Sequence, residues 1–185
     1  MERTSAKPEL RAGRPLTRSA LDFATRRHAG QRREADGAPY VMHPFEVATL
    51  LYDAGYPDHV VAAGVLHDVL EDTDAERAEI EDGFGEEVAG LVTVLTEDET
   101  IEDARERKAA LRLQVAEAGD EAAAVFAADK VSKAHEMRLR AERGALADAD
   151  TAKVEHYVES LEMLESLIPA HPLVEQLRTE VEALG

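Results

Sequence analysis

The chain contains no cysteine and no tryptophan, and aromatic residues make up only 4% of its 185 residues. Without thiols, disulfides, iron–sulfur clusters and thiolate zinc centres are excluded. Any metal must therefore be held by imidazole, carboxylate or carbonyl groups. Positive charge is scarce as well. The 21 lysines and arginines stand against 39 aspartates and glutamates, for a formal net charge of -18. That balance argues against coating a nucleic acid or docking on an acidic membrane, both of which need a basic footprint. No apolar run approaches the ~20 residues of a membrane-spanning helix. Arg3, Lys7, Arg11 and Arg14 are not followed by the apolar segment of a secretory signal. A soluble, cytoplasmic protein is the expectation.

What the chain does have is alanine, leucine and acidic residues. Hydrophobic residues are 44% of the total, enough for a core, and small or unbranched side chains lose little entropy in a helix. Residues 1–15 are polar and broken by Pro8, Gly13 and Pro15, which predicts a disordered lead. Residues 16–185 read as a single all-α domain that includes the C-terminal helices. A first helix from Thr17 places Leu21, Ala24, Thr25 and His28 along one face and stops at Gly30. Gly37 and Pro39 punctuate a loop over 31–42. A second helix runs from His43-Pro44 to about Ala54. A third, Val60 to Leu70, is apolar nearly all round, the mark of a central helix. Thr73 or Asp74 is the expected cap of a fourth, and Glu86 opens a fifth. Further helices are predicted over 101–118, 121–142, 151–168 and 172–184.

The stretch Leu66-His67-Asp68-Val69-Leu70-Glu71-Asp72 carries the chemistry. On the expected helix, three carboxylates and an imidazole crowd its C-terminal turns. The macrodipole there disfavours each acid by about 0.3–1 kcal/mol, and burial adds a desolvation cost. A bound cation is the simplest compensation for His67 and Asp68. Asp72, Thr73 and Asp74 have a plainer reading as caps. His43 begins its helix just after the Gly/Pro loop, and Asp129 interrupts the apolar run AAAVFAAD. Together these positions suggest a mixed imidazole and carboxylate site for manganese, iron, zinc or magnesium. Arg26, Arg27, Arg32 and Arg33 crowd a short stretch, and Lys130 and Lys133 lie near Asp129. Guanidinium forks match phosphate oxygens, although on pattern alone these arginines read as solvated surface.

In the order His43, His67-Asp68, Asp129 the chain resembles the HD superfamily of metal-dependent phosphohydrolases. Its motifs His28-Ala29-Gly30-Gln31-Arg32-Arg33, Pro39-Tyr40-Val41-Met42-His43-Pro44, Leu66 to Thr73, Phe84-Gly85 and Ala128-Asp129-Lys130 are similar to the hydrolase domain of RelA/SpoT proteins. The resemblance covers about residues 17–140. It implies an HD-domain helical bundle and a divalent metal, manganese first, held by His43, His67, Asp68 and Asp129. It also implies removal of the 3′-pyrophosphate from guanosine tetra- or pentaphosphate. Glu71 and Asp72 would orient or deprotonate the attacking water. Arg33 would contact the nucleotide, with Arg32, Lys130, Lys133 and Tyr157 as further substrate-side residues. His28 belongs to the motif in a structural role. The implied partner is a small nucleotide, not a nucleic acid or a membrane, and a homo-oligomer is left open. Two positions depart from the family pattern. Lys133 stands where asparagine is usual, and Glu34 stands where a lysine or other helper is common. They keep open a different phosphorylated nucleotide such as NADPH, or a non-catalytic nucleotide- or metal-binding module.

Overall fold

The computed structural model describes residues 10, 12–33, 36–147 and 150–184. It is all-helical. Among the described residues there is no strand, only an isolated antiparallel bridge between Arg32 and Pro39. The chain divides into two compact units, Met1–Glu97 and Asp98–Gly185. The expected disordered lead lies mostly outside the described residues. Within it, Leu10 is buried and Arg14 donates to the Tyr56 carbonyl at 2.9 Å.

The first unit contains α1 (Pro15–Arg27), α2 (Met42–Asp53), α3 (Asp58–Leu66), α4 (Val69–Asp72), α5 (Arg77–Phe84) and α6 (Glu86–Leu95). Its centre is α3, in which every residue from Val60 to Leu66 is buried. An all-apolar helix must be covered on all sides, and α1, α2 and α6 supply the cover. The carboxylate of Asp58, at the start of α3, caps α1 from outside. It accepts from the backbone amides of Leu16 and Thr17, each at 3.0 Å, and from the Thr17 hydroxyl at 2.6 Å. This ties the N-termini of α1 and α3 together.

Close approach of α2 and α3 depends on Gly64. A Cβ at that position would lie 2.3 Å from Leu51 Cδ1 and 3.3 Å from Val47 Cγ1, and both neighbours are fully buried. Alanine is the better helix former by about 1 kcal/mol, but overpacking a dense core costs typically about 1–3 kcal/mol. Gly64→Ala is therefore expected to lower the melting temperature by a few degrees rather than raise it, as thermal unfolding of the full chain would register.

The expected third helix is interrupted. It ends at Leu66, His67 forms its C-cap, and Asp68 leaves helical geometry at φ -107°, ψ 1° before α4 begins. Glu71 and Asp72 thus lie in a separate single turn of helix rather than at the C-terminal end of a long one. The Asp68 carbonyl accepts from the amides of Glu71 and Asp72 at 3.2 and 2.9 Å. Thr73 and Asp74 do not cap α5 as expected. Its N-cap is Glu76, whose amide is received by Glu79 at 3.1 Å. Thr73 instead donates to the Val69 carbonyl and accepts from the Ala75 amide, closing the turn after α4.

The second unit contains α7 (Ala104–Ala118), α8 (Asp120–Glu142), α9 (Thr151–Leu167) and α10 (Pro172–Glu182). The long α8 packs against the other three, and residues 122–132 are buried throughout. Asp103 caps α7 through the amides of Arg105 and Glu106. His171 caps α10, with Pro172 at its first position.

Candidate active site

In the first unit the HD doublet sits at the α3–α4 break. His67 Nδ1 lies 2.9 Å from the Gly64 carbonyl, to which it donates. That bond assigns the tautomer and leaves Nε2 with its lone pair. His43 rises from the first turn of α2, and the two Nε2 atoms are 3.2 Å apart. Both imidazoles are buried. Two ring nitrogens this close need a proton or a cation between them. At that separation both nitrogens could reach one ion at metal–nitrogen distances of about 2.1 Å. The pair thus fits a divalent cation.

Asp68 is 2% exposed. Burial pushes its carboxyl up, but the imidazoles of His67, His28 and His43 outweigh that and hold it well below the usual carboxylate range. Its Oδ1 is 3.3 Å from His28 Nε2, and its Oδ2 accepts from the Tyr40 hydroxyl at 2.7 Å. His28 is buried at the end of α1, with Nδ1 2.7 Å from Gln31 Oε1. Burial opposes its protonation, yet Asp68 and Gln31, acceptors on both ring nitrogens, raise it above the ordinary imidazole value. The structural role expected for His28 is thus to brace Asp68. Gln31 continues the chain by donating to the Asp72 carbonyl at 2.7 Å, which gives the Gly30-Gln31 motif its physical meaning.

Tyr40 received no role from the sequence, although it lies inside a quoted motif. Its hydroxyl stands 2.7 Å from Asp68 Oδ2 and 2.6 Å from Asp72 Oδ2. Burial and the two carboxylates together hold the phenol far above its ordinary range, so it remains a donor shared between them. Glu71 and Asp72 are exposed at the mouth of this cluster. Glu71 Oε1 accepts from the Glu97 amide at 2.5 Å. One imidazole pair, one buried carboxylate and two accessible carboxylates are thus gathered on the break.

The arginine loop is folded on itself. Arg32 donates to the Gly37 carbonyl at 2.9 Å. Arg33 pairs with Asp36 at 2.5 Å and with Glu46 at 3.3 Å. Arg33 pairs with acids as expected of a surface arginine, but its side chain is only 14% exposed rather than solvated, and Glu34 lies outside the described residues.

The other expected site residues form a cluster in the second unit. Asp129 is buried on α8. Lys130 Nζ lies 2.6 Å from its Oδ2 and Lys133 Nζ 2.9 Å from its Oδ1. Lys130 is buried and stacks over the Phe126 ring at 4.4 Å. Tyr157, on α9, is buried, and burial pushes its phenol up to about 12. Its neighbour His156 carries no sequence signal. His156 Nδ1 accepts from Arg112 at 2.7 Å, and the same guanidinium donates to Glu159 at 2.7 Å. Burial, then the positive charges of Lys130, Lys108 and Arg112, push the His156 imidazole down to about 2. Folding therefore requires it neutral. Below its unfolded pKa near 6.5 the unfolded chain takes up a proton that the folded chain does not. Stability contributed by His156 is full above pH ~6.5 and falls by about 1.4 kcal/mol per pH unit below it. Urea unfolding of the full chain between pH 7 and 5 is expected to show this slope, and His156→Gln is expected to flatten it.

A family model described as an HD domain matches residues 20–154, a span that includes His43, His67-Asp68 and Asp129. The chain belongs to the HD domain family. Within that family its relatives are of the RelA/SpoT type. It is 47% identical over 102 residues to the human guanosine-3′,5′-bis(diphosphate) 3′-pyrophosphohydrolase MESH1, an alignment covering 54% of this chain and 55% of the human protein. It is 52% identical over 77 residues to a probable guanosine-3′,5′-bis(diphosphate) 3′-pyrophosphohydrolase of Synechocystis, covering 42% of this chain and 10% of that one. The chain therefore spans about half or less of these curated relatives. A solved metazoan ortholog of SpoT, described as hydrolysing ppGpp, superposes with a TM-score of 0.81 at 27% identity, covering 92% of this chain and 96% of that one. This HD domain has no helix among its described residues that is long and apolar enough to cross a membrane.

Proposed function

We propose that this HD domain protein is a divalent-metal-dependent phosphohydrolase that removes the 3′-diphosphate of guanosine 3′,5′-bis(diphosphate) and its pentaphosphate form. The observation that carries the reading is the 3.2 Å convergence of His43 and His67 Nε2 beside a carboxylate held anionic at Asp68. The names of the relatives support the substrate. The proposed metal ligands are His43, His67, Asp68 and Asp129, the last assigned by motif order and by its burial. Imidazole and carboxylate donors suit manganese. When bound, such a cation polarises a phosphoryl oxygen and acidifies water.

The chain's own residues supply the rest. Tyr40 and His28 fix Asp68 from both sides, so this ligand is held in place before a cation arrives. Asp72, held by the shared Tyr40 hydroxyl, and Glu71, held by the Glu97 amide, are the accessible carboxylates that orient water and take its proton. The water oxygen attacks the phosphorus joined to the ribose 3′ oxygen. That oxygen leaves and is protonated, giving the guanosine 5′-diphosphate or 5′-triphosphate and pyrophosphate. Arg33, aided by Arg32, is proposed for the base, and Lys130, Lys133 and Tyr157 for the substrate's far side. A cytoplasmic location belongs to the same proposal.

A substrate panel with manganese tests the reading. Guanosine tetraphosphate is expected to give pyrophosphate and guanosine diphosphate in equal amounts, with the highest kcat/KM of the panel. The Lys133 and Glu34 departures motivate including NADPH. A preference for NADPH would replace the substrate but keep the enzyme, and tight binding without product under any metal would replace the enzyme with a binding module.

A further inference from the structure

Asp129 carries an ammonium group on each of its carboxylate oxygens. The two are not equivalent. Lys130 is buried, with side-chain exposure of 7%, and is anchored over the Phe126 ring. Lys133 is 38% exposed and reaches back one helical turn from the i+4 position. A cation that takes an Asp129 oxygen competes with one of these partners for it. Displacing Lys130 would leave a buried ammonium without its counter-ion, which is costly, whereas Lys133 can swing into solvent at little cost.

We propose that Lys133 is a latch on Asp129 that competes with the metal and so sets the protein's metal affinity. The inference rests on the proposed role of Asp129 as a ligand. In the metal-free protein Lys133 lies 2.9 Å from Oδ1 and neutralises the buried carboxylate as an ion-pair partner. On metal binding it lets go, and its freed ammonium is left near the site where an anionic diphosphate is expected. An uncharged side chain at this position would leave Oδ1 available to the cation from the start. It would also remove the repulsion between the ammonium and a divalent charge. The chain thus trades metal affinity for a site that is charge-balanced when empty.

Titration of manganese into metal-stripped full-length protein, read by calorimetry and by the electron paramagnetic resonance of free manganese, tests this without reference to turnover. Lys133→Met is expected to tighten manganese about five- to tenfold, as loss of one partly exposed charged competitor should. Lys133→Gln is expected to do the same, and Lys133→Arg to stay within about twofold of wild type. His67→Ala is expected to abolish high-affinity binding in every background. If wild type binds manganese, His67→Ala does not, and both neutral Lys133 variants bind with wild-type affinity, the latch is wrong while the metal site stands. If His67→Ala binds as wild type does, or no variant binds at all, the metal reading fails and the latch with it.

Discussion

The His67→Ala protein is expected to remain folded, to bind manganese at least ~100-fold more weakly, and to hydrolyse guanosine tetraphosphate at least ~1,000-fold more slowly. The stability cost is modest, about 1–3 kcal/mol, because the substitution removes a buried hydrogen bond to the Gly64 carbonyl. Circular dichroism and thermal unfolding separate that cost from the loss of metal. The informative comparison is His28→Ala. His28 contacts Asp68, Gln31 and Tyr40, so its substitution removes a brace and keeps both imidazoles of the pair. It is expected to weaken metal binding by about 10-fold through a poorly braced Asp68. A ligand and its brace thus differ in magnitude. Equal effects of the two substitutions would contradict the assignment of His67 as the ligand.

Asp72→Asn is expected to lower kcat by about 100- to 10,000-fold, the range for removal of a general base, with KM and manganese affinity nearly unchanged. Asparagine keeps the shape and still accepts from Tyr40, but it takes up no proton. Glu71→Gln is expected to reduce kcat as well, since its carboxylate is held by the Glu97 amide at the same mouth. A rise in KM with kcat preserved would move either residue from water activation to substrate binding. A parallel loss of manganese in Asp72→Asn would instead make it a ligand.

The helical architecture was legible because alanine- and leucine-rich segments with glycine and proline punctuation leave little alternative. The all-apolar Val60–Leu66 run announced the central helix. The place where that helix stops was not legible, since Val69 and Leu70 continue the apolar pattern through the break. The break falls where His67 and Asp68 make their contacts with Gly64, His28 and Tyr40. The acids expected at the C-terminus of a long helix lie instead in the single turn of α4. The cap of α5 is obscured for a related reason. Thr73 has the right chemistry for a cap but is drawn into the turn after α4, and Glu76 takes the position.

Within the site, His43, His67 and Asp68 were readable from motif order. Tyr40 was not, because a tyrosine in a loop gives no spacing signal, and its meaning depends on the chain bringing Asp68 and Asp72 to one hydroxyl. His156 was invisible for the same reason. Nothing local distinguishes a histidine packed on Phe126 under three positive charges from one in solvent. Lys133 departs from the family pattern, and its pairing with Asp129 gives the departure a physical content.

The most direct measurement is pyrophosphate release from guanosine tetraphosphate by metal-stripped protein before and after manganese is restored. No release is expected without metal, with recovery on adding about one equivalent per chain and one pyrophosphate for each guanosine diphosphate formed. Release that is unaffected by stripping the metal, or a product other than pyrophosphate, would contradict the proposed metal-dependent hydrolysis.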